Sequence, residues 1–333
     1  MANPKKKPLR NTDASHENLQ PPMIWLPGGA FRMGSDHHYR EEAPAHDVIV
    51  DGFWIDPTPV TNRQFQEFVA ATGHVTVAEL TPRAEDYPGA LPKMLRPASL
   101  VFTPTAEPVR LDNCNQWWSY VFGANWRQPS GPGSDLDGID DYPVVHVAWA
   151  DVEAFAAWAG KQLPTEAEFE FAAWGGTDGH EFAWGDDFMP DGRFMANTFQ
   201  GEFPHHCSMA DGYARTSPVG HYPPNGFGLS DMIGNVWEWT QDWYCDRHAT
   251  DRTKSSSVQV NPMGGEIAAS MDPNDAFSTI PRKVLKGGSH LCAPSYCRRY
   301  RPPARLAQHV DNSMSHIGFR CVRRDPGPEQ ATR

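Results

Sequence analysis

Breakers of regular structure recur throughout this chain. It has 28 glycines and 31 prolines in 333 residues, where an average chain has roughly 12% of the two together. Few segments can therefore run long as helix or strand, because proline lacks an N–H donor and glycine loses the most backbone freedom on folding. Such a chain folds only if its loops are pinned. Twelve tryptophans and 17 phenylalanines supply large apolar surfaces for that purpose, and the patterning is too aromatic for a disordered polymer. The length allows one large domain or two small ones, either with a substantial core. A formal net charge of −12 argues against general nucleic-acid binding. No run of 18 apolar residues is present, so no membrane-spanning helix is expected.

Chemistry concentrates between residues 285 and 320. Cys292 and Cys297 flank Pro294. Gly287, Gly288 and Ser289 precede them. Arg298, Arg299, Arg301 and Arg305 follow, with Arg320 further on. Pro294 excludes a helix through the pair, and in a straight strand residues five apart point to opposite faces. The two thiols converge only if the segment bends as a loop, and the nearby cations favour thiolate. Three readings are open: two unrelated buried cysteines, a local disulfide, or a paired-thiolate site for a soft metal or redox chemistry. Soft sulfur ligands suit Cu(I) and zinc. Zinc usually takes four ligands, and no second close Cys/His pair with zinc-finger spacing follows, so two thiolates alone match Cu(I) better.

In chain order, residues 1–22 read as a flexible leader. Its basic run Lys5–Lys7 is followed by no apolar segment, unlike a secretory signal. Order begins at Met23 with a strand, a turn and a strand through Met33, then Val48–Val50 and Phe53–Ile55 as another strand pair. Thr61 and Gln64 form a capping box that opens a helix, with Phe65, Phe68 and Val69 on one face and Gly73 as its stop. Asn115–Trp118 and Ala124–Arg127 are aromatic anchors in an irregular stretch. Val144–Val147 reads as a buried strand with His146 as a core histidine. Asp151 caps a short helix with Val152, Phe155 and Ala159 inward, ending at Gly160. Thr165 and Glu168 make a second capping box, and Gly175–Gly176 ends that helix. His37–His38 and His205–Cys207 read as surface loops. Residues 246–282 are a polar excursion, and 325–333 a disordered tail. The six cysteines are too dispersed for a disulfide framework, which points to a cytoplasmic location. Asn197 and Asp211, and separately Asp231 and Glu238 around Gly234, are hard oxygen donors of the kind Ca2+ takes. Solvated turns are the competing reading.

Residues 285–322 resemble the C-terminal core of formylglycine-generating enzymes, the sulfatase-modifying factors. The resembling run is Gly287-Gly288-Ser289, Cys292, Ser295-Tyr296-Cys297, Tyr300-Arg301 and Gly318-Phe319-Arg320-Cys321. Leu163–Glu168 and the opening strands are similar to the wider superfamily, so the resemblance spans 23–324. It implies an α+β, single loop-rich domain of the formylglycine-generating enzyme / C-type-lectin-like fold with low regular secondary structure. It further implies a copper-dependent oxidase, expected to be a monomer. Such an enzyme converts a cysteine in a sulfatase Cys-x-Pro-x-Arg motif to formylglycine with O2 and a thiol reductant. By resemblance, Cys292 and Cys297 hold Cu(I), and Ser289 and Trp237 border an oxygen pocket. Two structural Ca2+ sites are implied: Asn197, Thr198, Asp211 and Tyr213, the second and fourth through carbonyls, and Asp231, Gly234, Val236 and Glu238. Two departures stand out. His316 replaces the family's common Asn, and the positions of two vertebrate disulfides hold Ala156 with Cys321 and Ala173 with Pro302, so neither bond can form. A non-catalytic peptide-binding module of the same fold is the alternative, and the retained cysteine pair counts against it.

Overall fold

Local signals decide the helices. In the computed structural model, which describes residues 22–248, 258–274 and 279–328, Thr61 caps the helix Asn62–Thr72 through the expected box, and left-handed Gly73 ends it. Phe65, Phe68 and Val69 are buried. The box of Thr165 and Glu168 opens Glu166–Trp174, which Gly175 terminates. Asn225 then donates its amide to the Ala172 carbonyl at 2.8 Å, satisfying an orphan acceptor at that helix end. The helix Trp149–Trp158 differs from expectation at its start. Its N-cap is Ala148, and Asp151 sits one turn in, reaching back to accept the Ala148 N–H at 2.9 Å. Val152, Phe155 and Ala156 are buried on it, and Ala159, just past its end, packs half-buried against the core.

A four-stranded sheet carries the centre of the molecule, in the order Arg305–His309, Arg282–Lys286, Trp237–Trp243, Ile317–Gly318. The last pairing is parallel and the others antiparallel. Every residue of Arg282–Lys286 is buried, so its cations require partners. Lys286 pairs with Glu170 at 2.8 Å. Lys283 donates to the Gln241 carbonyl at 2.5 Å and lies 3.6 Å above the Trp243 ring. The wholly buried helix Glu166–Trp174 supplies the carboxylates from above, and Glu166 binds Arg305 through two hydrogen bonds of 2.7 and 2.8 Å.

The opening strands exist where expected, but their pairing is non-local. Ile24–Leu26 pairs with Phe53–Ile55, which also pairs with Val322–Arg323, while Gly29–Met33 pairs with His46–Val50. Val144–Val147 is buried but is not a strand. His146 adopts a positive φ of 61°, which breaks the extended run, and the backbone bonds instead to Val60 and Met314. His146 is the satisfied core histidine expected, bonded to Ser99 and the Pro129 carbonyl. Trp117 and Trp126 are buried anchors. The leader, the end of the tail and part of 246–282 lie outside the described residues, among which no helix is long and apolar enough to cross a membrane.

Candidate active site at the cysteine loop

Strand Arg282–Lys286 runs directly into Gly287 and Gly288. A Cβ on Gly288 would lie 2.5 Å from the Arg299 carbonyl oxygen, and its φ is +76°. Glycine is therefore required for the strand exit to touch the far side of the loop. Two turns then fold the segment: the Ser289 carbonyl accepts the Cys292 N–H and the Ala293 carbonyl accepts the Cys297 N–H, both at 2.9 Å. The two Sγ atoms meet at 3.5 Å, well beyond a disulfide bond of about 2.05 Å, and both thiols are free. Cys292 is buried and Cys297 half-buried. The Ser289 N–H points at the Cys292 sulfur at 3.5 Å, and the Arg299 guanidinium approaches Cys297 at 3.8 Å.

These contacts split the pair. A hydrogen bond from the Cys292 thiol, with the Arg299 charge helping against burial, brings Cys297 down to about 6. Burial pushes Cys292 well above the ordinary thiol range. The Arg299 charge favours thiolate at both sulfurs, but at Cys292 burial in the core outweighs it. Alkylation of Cys297 by iodoacetamide is expected to rise with pH through a midpoint near 6. A midpoint near the ordinary thiol value of about 8.5 would contradict this.

The loop is buttressed by a segment near the start of the chain. Tyr39 Oη accepts the Arg298 N–H at 3.0 Å, and its ring lies 3.8 Å from the Arg299 guanidinium. Arg299 is paired with Glu41. Arg301 is gripped by Glu42 at 2.6 and 2.9 Å, both groups buried. No local sequence signal marks Tyr39, Glu41 or Glu42. Asn235 is a second residue that sequence reasoning missed. Its carbonyl accepts the backbone N–H of His290 and lies 2.9 Å from His290 Nδ1, and its side chain bonds both backbone groups of Ser217. Its left-handed φ of 58°, in the run Gly234-Asn235, was the available clue. An aromatic wall flanks the thiols: Tyr296 stacks on Phe203 at 4.3 Å and meets the edge of Trp117 at 5.4 Å. His316 is buried against Trp118 at 4.7 Å, with Nδ1 lacking a partner. Trp237 is buried in the same core cluster as Cys292.

The two implied calcium ligand sets meet beside Asn235, where Gly234 touches Asn197: a Cβ on Gly234 would sit 2.4 Å from the Asn197 carbonyl oxygen. Asp231 Oδ2 accepts the Gly220 N–H at 2.7 Å, whereas Oδ1 is buried without a partner, which suits a cation. Val236 is buried beside them. Both Glu238 oxygens accept from Arg320 at 2.8 Å, leaving one lone pair on each for a further contact. In the other set the Thr198 carbonyl accepts from Gln200 at 3.0 Å, Asp211 accepts from Tyr222 at 3.0 Å, and the Tyr213 carbonyl faces Cys207.

For a metal at the cysteines, two free thiols 3.5 Å apart, one favouring thiolate, are soft donors that fit Cu(I). Two sulfurs each about 2.3 Å from a shared ion can span that separation. Among the described residues no group of three or more His, Cys, Asp or Glu converges to hold an ion.

Residues 9–325 match the family described as the sulfatase-modifying factor enzyme 1-like domain. The chain is 52% identical over 300 residues to the formylglycine-generating enzyme of Mycobacterium tuberculosis, covering 90% of this chain and 97% of that one. It is 36% identical over 305 residues to the inactive C-alpha-formylglycine-generating enzyme 2 of Bos taurus, covering 90% and 87%. The solved structure of PvdO from Pseudomonas aeruginosa superposes with a TM-score of 0.55 at 24% identity, over 90% of this chain and 93% of that one, and speaks for the fold alone. The loop-rich α+β architecture, the cysteine loop and these matches lead to one conclusion: this chain is a single-domain member of the sulfatase-modifying factor, or formylglycine-generating enzyme, family.

Proposed function

We propose that this protein is a copper-dependent oxidase that converts the cysteine of a Cys-x-Pro-x-Arg segment in an unfolded sulfatase polypeptide to formylglycine. The observation that carries the reading is the thiol pair at 3.5 Å with Cys297 held toward thiolate. A relative named inactive shares the fold, so the fold alone does not decide activity.

The reaction balances when the peptide thiol, O2 and two reductant thiols give the peptide aldehyde, hydrogen sulfide, a disulfide and water. The substrate β-carbon loses one of its two hydrogens and its bond to sulfur and gains a double bond to oxygen; the thiol hydrogen leaves with the sulfur. Cys292 and Cys297 would hold the ion, and Cu(I) when bound supplies the electron-transfer chemistry toward O2. The chain's own residues do the rest. The Ser289 N–H orients the Cys292 sulfur. Arg299, fixed by Glu41 and the Tyr39 ring, favours ionised Cys297. Buried Ser289 keeps water from Cys292, and Trp237 is buried in the core cluster that encloses that sulfur. The aromatic wall of Trp117, Phe203 and Tyr296 gives the motif's proline an apolar surface. We place the protein as a monomer in the cytoplasm, where its six free cysteines stay reduced. Anaerobic titration tests the metal reading. One Cu(I) per chain, lost in Cys297→Ser, is expected. Equal binding by wild type and variant would contradict it.

Calcium is proposed as structural at Asn197, Thr198, Asp211 and Tyr213, and at Asp231, Gly234, Val236 and Glu238. The unpartnered Asp231 Oδ1 supports the second set. A ligand at 100 times its Kd stabilises the native state by about 2.7 kcal/mol. Chelation by EGTA is therefore expected to lower the melting temperature by several degrees, reversibly on adding calcium. An unchanged melting temperature would count against both sites.

A further inference from the structure

The strand Trp118–Phe122 has a single sheet neighbour, Ala98–Phe102. Its register pairs Trp118 with Phe102, Tyr120 with Leu100 and Phe122 with Ala98. Leu100 donates its N–H to the Ser313 carbonyl and accepts from the Ser315 N–H, and the Phe102 N–H goes to Ser315 Oγ. Those backbone groups point away from the neighbouring strand. In an antiparallel ladder their partners are then the non-hydrogen-bonded positions. Hence the N–H and C=O of Trp118, Tyr120 and Phe122 face the outer edge, and among the described residues none of them makes a backbone bond there.

Edges of this kind are normally blunted by lysine, proline or charge. This one reads Trp-Ser-Tyr-Val-Phe, with none of these, and Tyr120 is 44% exposed. The edge also begins at the cysteine loop. Trp117, immediately before it, meets Tyr296 at 5.4 Å, and Tyr296 precedes Cys297. About 7 Å from Trp118, at two steps of roughly 3.3 Å, the strand reaches at Tyr120 a cavity of about 380 Å³ lined also by Ala98, Tyr87, Met94 and Leu95.

We propose that the outer edge of Trp118–Phe122 takes an extended segment flanking the client's cysteine motif as an added β-strand, with one flanking side chain entering the cavity beside Tyr120. The inference rests on the oxidase reading for the identity of the client. The occupant follows from continuity: a chain whose cysteine lies at Cys297 emerges at Trp117 and meets open backbone groups. Its proline biases the preceding residue toward extended conformation, and strand addition at an exposed edge is an established mode of peptide recognition.

The test uses wild-type protein and a fluorescently labelled peptide carrying Ser-x-Pro-x-Arg with long flanks, so that binding is read without turnover. Single backbone N-methyl groups are walked along both flanks. On one flank every second position is expected to weaken binding roughly three- to tenfold, the loss of one hydrogen bond, with the positions between unaffected. Tyr120→Pro, which removes an outward donor and leaves the ladder intact, is expected to weaken the long peptide to a similar extent. Binding unaffected by N-methylation, weakened without alternation, or absent altogether would overturn the proposal. So would concentration-dependent self-association that Tyr120→Pro abolishes, because the edge would then pair with a second copy of the chain. Conversion of the cysteine peptide, assayed alongside, reports on the oxidase reading independently.

Discussion

Replacing either Cys292 or Cys297 with serine is expected to reduce peptide oxidation by about a thousandfold or more, the scale seen when one member of a cooperating catalytic set is removed. The two sulfurs lie 3.5 Å apart and act as one donor set, so neither half retains the function. The fold should survive both changes. Cys297 is half-buried, so a serine hydroxyl there can reach water. Cys292 is 2% exposed, and its serine costs about 1–3 kcal/mol if the hydroxyl finds no partner. Activity assays with melting curves on both variants check this. Retained turnover in both would refute a paired-thiolate site, and loss of turnover with loss of the folded transition would show only that the core had failed.

The largest stability effect is expected at Glu166. Its carboxylate is buried, grips Arg305 at 2.7 and 2.8 Å and lies 3.7 Å from Lys286. Burial opposes its ionisation, but Arg305, then His248 and Lys286, hold it down to about 2. Glu166→Ala leaves Arg305 with only the Glu41 and Cys245 carbonyls and strands a buried charge, a loss of about 3–5 kcal/mol. The sign with pH follows. The folded pKa is below the unfolded value of about 4.3, so the contribution is present above that value and is lost as pH falls toward 2. Urea unfolding should show the full difference between wild type and variant near neutral pH, shrinking below about pH 4. A difference under about 1 kcal/mol at neutral pH would mean that the network relaxes around the missing carboxylate.

What the sequence disclosed was local. The boxes of Thr61 with Gln64 and Thr165 with Glu168 involve residues three apart, so they are legible without the fold. The bend of the cysteine loop follows from Pro294 and the glycines in the same way. Partnership across the chain was not legible. Nothing near Glu42 indicates that it meets Arg301 across 259 positions, or that Glu41 fixes the guanidinium beside Cys297. The strand expected at Val144–Val147 failed because His146 turns left-handed to reach Ser99 and Pro129, a tertiary demand that overrides the β-branched pattern. The direction of the Cys292 shift was missed for the same reason, since burial is a property of the packed core.

The central claim is the oxidation itself, and mass spectrometry tests it most directly. A Cys-x-Pro-x-Arg peptide is incubated with Cu(I)-loaded protein, O2 and a thiol, beside an anaerobic control. The account predicts an aerobic product that has lost one sulfur and two hydrogens and gained one oxygen, and that is absent from the control and from Cys297→Ser. An unchanged peptide, with copper verified at Cys292 and Cys297, would contradict it and leave a peptide-binding module of the same fold.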